Sequence, residues 1–330
     1  MADFEPASSL RIPTPVGGTP LRADGAPSVL IAVLYALLVP FGIYHLLRTR
    51  SRFILVIGTI TLAIEHVVIW GLRASQAFGS PERRASEGLL VYMQLSFGAA
   101  YIAMANDAVP MLRVLLVRAT CPPDEVGDPP YNTVGFSAPR TRFWTRRATD
   151  FIRLFFLAPT VTNIVSGFGF KQALRTQASA DRVMTLRYAS AGVATLLIFV
   201  LLVWTIVARF RMPHVPTTGA DRLIVLYLLL LSIGVYRLGM MHFHVPDLLS
   251  TDGWATQESH GAKALFYIFH AIPEWVAAAL LLVPNMRGIL GAGLIGDWRG
   301  NDGEKNCMEQ RKERKEKRER ERRRDGVEMA

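Results

Sequence analysis

Seven long apolar runs, each parted from the next by a short cluster of charge, dominate this 330-residue chain. Crossing a bilayer core of ~30 Å takes about 20 apolar helical residues. A soluble helix core seldom needs so many in a row, and a soluble fold does not repeat the pattern seven times. The composition agrees. The chain is 51% hydrophobic yet carries a formal charge of +10. Its charges gather between the apolar runs instead of spreading over every element, which is the membrane arrangement. The expected fold class is therefore all-α, a polytopic membrane protein built as a seven-transmembrane-helix bundle.

The spans are expected at 28–47, 53–72, within 88–116, then 150–170, 188–208, 223–243 and 262–284. Residues 1–27 contain Pro, Gly and Asp ahead of the first run, so they read as a polar N-terminal leader and the run as a true span. Arg48, Arg50 and Arg52 form a tight basic turn that makes a hairpin of the first two spans. The longest loop, 118–149, holds Pro122-Pro123 and Pro129-Pro130, a composition that buries no core. The bundle is expected to end near 291, with 292–330 as a charged tail. Cys121 and Cys307 fall in predicted non-membrane segments on one side, which argues against a disulfide framework and leaves Cys121 as a candidate for palmitoylation.

Basic residues set orientation. With the N-terminus outside, the inner loops carry eleven Lys and Arg against ten in the outer segments, a near tie. Thirteen more between Arg287 and Arg324 tip the balance towards a cytosolic tail. Within the tail, Glu313–Lys317 and Glu319–Arg323 have the i,i+4 spacing of helical ion pairs. With almost no apolar residue, a helix there is solvated. Contact with anionic headgroups is its functional reading, and nucleic acid is a poor fit for a tail tethered to a membrane.

Polar residues inside the spans are the informative ones, because a charge at the bilayer centre costs at least about 2.5–3.5 kcal/mol. At 1.5 Å of rise per residue they sort into two layers. The outer half receives Glu65 and His66 from the second span, Arg237 and His242 from the sixth, and His270 and Glu274 from the seventh. His270 and Glu274 share one helix face, with Pro273 loosening the backbone between them. The inner half receives Asn106, Asp107 and Arg153. Matching depth predicts that Glu65 or Glu274 pairs with Arg237, and that Asp107 and Arg153 form a structural ion pair.

Three readings of these residues compete. They hold helices together, each contact contributing about 1 kcal/mol. They line a polar cavity for a ligand. Or they perform metal or acid–base chemistry. Three histidines and two glutamates contain a possible zinc set. Yet the chain has no His-x-x-x-His or His-Glu-x-x-His run, and Glu65 and His66 point about 100° apart on a helix, so no metal or other cofactor is expected. The loops carry no ATP-binding Gly-rich motif, which speaks against an ATP-driven pump.

Tyr236-Arg237-Leu238-Gly239, Glu258, and the run from Phe266 through His270 and Pro273-Glu274-Trp275 resemble the end of certain fungal seven-helix proteins. The segment is similar to the fungal lipid-translocating-exporter-like family, linked to resistance to toxic lipids, and to related fungal membrane domains. Met240 and His270 stand where that family's pattern carries acids. The resemblance implies seven helices and a lipid-like cargo. The leading expectation is a non-enzymatic membrane protein that binds or moves a lipid-like molecule, with membrane lipids as its partners. The alternatives are a membrane enzyme of the small terpene-cyclase kind, with Glu65, Asp107 and Glu274 as acids, and a seven-helix receptor.

Overall fold

The computed structural model describes residues 10–120, 139–212, 214–245, 259–294 and 296–297. Cys121, Cys307, Glu258 and the charged tail lie outside them. Among the described residues, seven helices are long and apolar enough to cross a membrane: Arg22–Leu47, Ile54–Ala77, Pro81–Arg118, Arg140–Ala173, Gln177–Arg211, Thr217–Met240 and His260–Leu282. The chain is an all-α, multi-pass membrane protein.

The spans pack in chain order, each against the next, and the seventh closes against the first and second. The third also reaches the fifth, sixth and seventh, so it runs through the middle of the bundle. Its sequence explains that place. Ala100, Ala105, Ala108 and Gly98 keep the helix slim, and its large residues, Phe97, Tyr101 and Met104, are buried as well. The first span behaves differently. Ile31, Tyr35 and Leu38 face the core, whereas Leu30, Val33 and Leu37 are at least half exposed. Apolar side chains on both faces are tolerable only where lipid replaces water. Small residues let helices approach closely, as Gly234 does where it passes Thr195 of the fifth span.

The seventh span is not one uniform helix. His260–Phe266 is followed by a wider π-type turn over Tyr267–Ala271, and the α-helix resumes at Ile272–Leu282. Pro273, second in that last segment, explains the bulge: it lacks an amide donor and its ring crowds the preceding turn.

Three expectations need correction. The fourth span begins at Arg140, not near 150, and a break at Phe156 divides its helix. The described residues beyond 291, 292–294 and 296–297, still pack on the bundle, since buried Asp297 accepts from Arg113 Nε at 2.8 Å and Arg146 Nε at 2.9 Å. Finally, residues 12–20 of the polar leader do not stand apart from the bundle; all of them are buried. Ile12–Pro13 forms a short antiparallel pair with His244–Val245 just past the sixth span, and the following residues turn into the mouth of the bundle. Gly17 and Gly18 take positive φ of 80° and 62°, and a Cβ at Gly17 would overlap the Phe266 ring. Glycine is therefore required at the tip of this plug.

Candidate functional site

Four of the side chains singled out in the sequence meet inside the bundle. His66, Arg237, His270 and Glu274 come from the second, sixth and seventh spans, and none is more than 3% exposed. His66 Nδ1 lies 3.0 Å from the Leu62 carbonyl, which can only accept, so Nδ1 carries a proton. The other ring nitrogen, Nε2, faces Glu274 Oε2 at 3.3 Å. A bare nitrogen lone pair against a carboxylate oxygen is repulsive, so a further proton belongs between them. Arg237 Nη1 stands 3.4 Å from His270 Nε2. A guanidinium only donates, so Nε2 accepts and the proton of a neutral His270 sits on Nδ1, 3.8 Å from Glu274 Oε2. The resulting chain runs Arg237–His270–Glu274–His66, with Glu274 at its centre.

The surroundings are aromatic. The Tyr35 ring lies 4.8 Å from His66, Phe97 and Phe266 lie 5.8 and 5.2 Å from His270, and Arg237 sits over the Tyr101 ring at 5.6 Å. Several polar atoms in this apolar shell have no hydrogen bond: Glu274 Oε1, Arg237 Nε and the Tyr35 hydroxyl, while His270 Nδ1 approaches only Glu274 Oε2, at 3.8 Å. Buried polar groups are ordinarily satisfied, and one left without a hydrogen bond costs about 1–3 kcal/mol.

The remaining predicted residues fall elsewhere. Glu65 is half-buried one step round the helix from His66 and accepts from Ser96 Oγ at 2.6 Å, so neither glutamate makes the direct pair expected with Arg237. His242 is exposed beyond the end of the sixth span and bonds back to the Gly239 carbonyl at 2.6 Å. Asn106 is half-buried beside Asp107. The expected Asp107–Arg153 bridge is replaced by a hydrogen bond: Asp107 accepts from Thr59 Oγ1 at 3.2 Å. Arg153 is exposed, near enough for its charge to act on Asp107 but forming no ion pair with it among the described residues. Among the described residues no set of three His, Cys, Asp or Glu side chains is arranged to hold a metal ion.

Above the cluster lies a second set of charges, at or just beyond the outer ends of the expected spans. Buried Asp24 faces Lys263 Nζ at 3.1 Å and Arg73 Nη2 at 3.6 Å. Both cations also hold the plug: Arg73 donates to the Gly17 carbonyl at 2.7 Å and Lys263 to the same oxygen at 2.9 Å. Gln94 brackets Val16, accepting from its amide at 2.8 Å and donating to its carbonyl at 3.3 Å. Arg187 donates to the Thr14 carbonyl at 3.0 Å. A signal for two of these was present. Arg73 lies seven residues after His66 and Lys263 seven before His270, and a separation of seven returns to nearly the same helix face.

No family model, curated protein or solved structure matches the chain. The chemistry must be read from the site itself.

Proposed function

We propose that this membrane protein binds a lipid-like molecule, holding its polar head against the His66–Glu274–His270–Arg237 cluster. The observation that carries the reading is Glu274: a carboxyl at 0% exposure whose Oε2 is turned to the two histidines while its Oε1 has no hydrogen bond, set among aromatic rings. A purely cohesive network would be satisfied by its own members. This one leaves donors and acceptors over in an apolar shell, which suits a ligand with a polar end and a greasy body. The likeness of the last two spans to lipid-translocating exporters points the same way. Movement of the bound molecule between leaflets is the natural extension of that reading.

The test is Glu274→Gln, which keeps the side chain's shape and its capacity for hydrogen bonding. The expected result is an unchanged melting temperature in detergent and on the order of tenfold less copurifying lipid by native mass spectrometry. A fall in stability with lipid content following only the folded fraction would reduce the cluster to a structural role. Product formation from a bound isoprenoid, abolished by the same change with binding intact, would make the chain an enzyme instead.

Orientation belongs to the same proposal. The plug faces the outside and the basic tail the cytosol, as the thirteen Lys and Arg from Arg287 onward favour. In a background with Cys121 and Cys307 changed to Ser, Asn301→Cys should react with an impermeant maleimide only after permeabilisation. Labelling in intact cells would reverse the topology.

A further inference from the structure

The buried charges at the plugged end do not balance. Four cations, Arg73, Arg187, Arg237 and Lys263, are at most 6% exposed, and the buried carboxyls beside them are Asp24 and Glu274. Asp24 is taken by Arg73 and Lys263. Glu274 is turned to the two histidines. Half-buried Glu65 is engaged by Ser96. Arg187 and Arg237 are therefore left without a carboxylate among the described residues, and both lie at the plugged end: Arg187 is bonded to the Thr14 carbonyl of the plug, and Arg237 is bonded to His270, whose ring packs against Phe266 under Gly17.

Their hydrogen bonding is also incomplete. Arg187 spends Nη1 on the Thr14 carbonyl, while its Nη2 has no acceptor. Arg237 spends Nη1 on His270, while its Nε has none. Two like charges in a site closed to water are strongly unfavourable unless an anion lies with them. Guanidinium forks with idle N–H groups are the side chains that recognise phosphate and carboxylate oxygens.

We propose that Arg187 and Arg237 form an anion site beneath the plug, which takes the phosphate or carboxylate of an amphiphile's head. The site rests on the lipid-binding reading and narrows it, because it selects acidic lipids over zwitterionic ones. Arg187 adds the fifth span to the ligand's surroundings, and the Thr14 carbonyl bonded to it ties the plug to the same site. The ring of Tyr101 under Arg237 supplies the apolar wall against which the first carbons of the chain would lie.

The experiment uses the full-length protein in three settings: phosphatidylcholine nanodiscs, the same discs with phosphatidic acid, and detergent with added inorganic phosphate. Retained lipid is read by native mass spectrometry and stability by melting temperature. The expected result is retention of phosphatidic acid over phosphatidylcholine on the order of tenfold. Arg187→Gln should abolish that preference, and Arg182→Gln, on the exposed face of the same helix, should leave it intact. If Arg187→Gln does not fold, Arg187→Lys decides. Its ammonium lacks the fork, so the preference must fall while the melting temperature in phosphatidylcholine holds, and an unchanged preference overturns the site. A rise in melting temperature with inorganic phosphate alone, lost in the Arg187 variant, keeps the anion site but makes its occupant a free anion and removes the lipid reading. Equal retention of both lipids with no effect of phosphate overturns the anion site and leaves lipid binding standing. No retained lipid and no stabilisation overturn both.

Discussion

Asp24→Ala should unseat the N-terminal plug and cost about 3–5 kcal/mol, the range for breaking a buried ion pair by removing one member. The carboxylate is 1% exposed and joins four groups: Lys263 Nζ, Arg73 Nη2, the Tyr267 hydroxyl at 3.0 Å and the Leu21 amide at 2.8 Å. Without it, Lys263 and Arg73 lose the carboxylate that both hold while still donating to the Gly17 carbonyl. Asp24→Asn should cost less, since an amide oxygen still accepts from Leu21 and Tyr267. Two measurements check this. The melting temperature should fall in the order wild type, Asn, Ala. In a Cys121→Ser, Cys307→Ser background, Val16→Cys at a fully buried position should resist maleimide unless Asp24 is also changed to Ala. A Val16→Cys protein that stays unlabelled, with an unchanged melting temperature, would mean that Asp24 does not hold the plug.

The plug marks the boundary of what the chain's letters disclose. The seven spans could be counted because every crossing needs a run of apolar residues long enough to be unmistakable. The ends were less legible. Arg140, Arg146 and Arg147 lower the hydropathy of the fourth span's first turns, yet they share that helix with Phe143 and Trp144, which are at least half exposed. Long basic side chains can carry their charge to the interface while the helix continues beneath them.

Within the spans, His66, His270, Glu274 and Arg237 could be found because hydrocarbon makes any ionisable residue conspicuous. Their actual contacts could not. Rise per residue gives depth and says nothing about the angle round the bundle, which is why Asp107 and Arg153 sit at matching depth and fail to bridge. The π-type turn before Pro273 shifts that angle again within a single helix. Asp24 and Arg187 were hidden for another reason. Near a span's end, a charge that grips a folded segment looks the same as one that faces water, and residues 12–20 carry no periodic apolar pattern that would announce their burial.

The largest reversal is expected when Glu274 and Arg237 are removed together. Glu274→Leu alone takes away the carboxyl beside two buried bases, His66 and His270, the second of which is bonded to Arg237, and should cost about 3–5 kcal/mol. Arg237→Met alone removes the donor to His270 and leaves Glu274 with less positive charge nearby, so it too should destabilise. The double variant removes one charge of each sign and fills the space with apolar volume among Phe97, Tyr101 and Phe266. His66 keeps its bond to the Leu62 carbonyl. Replacing buried ionic groups by hydrophobic ones of similar volume is often neutral or stabilising by about 1–4 kcal/mol, so the double variant should melt at or above the wild-type temperature. Such a result means that the cluster is kept at a cost to the fold, as expected of groups retained for a ligand. Lipid retention should therefore vanish in the very protein that melts highest. Additive losses in the two single variants, with a double variant less stable than either, would show that cohesion is what these residues supply.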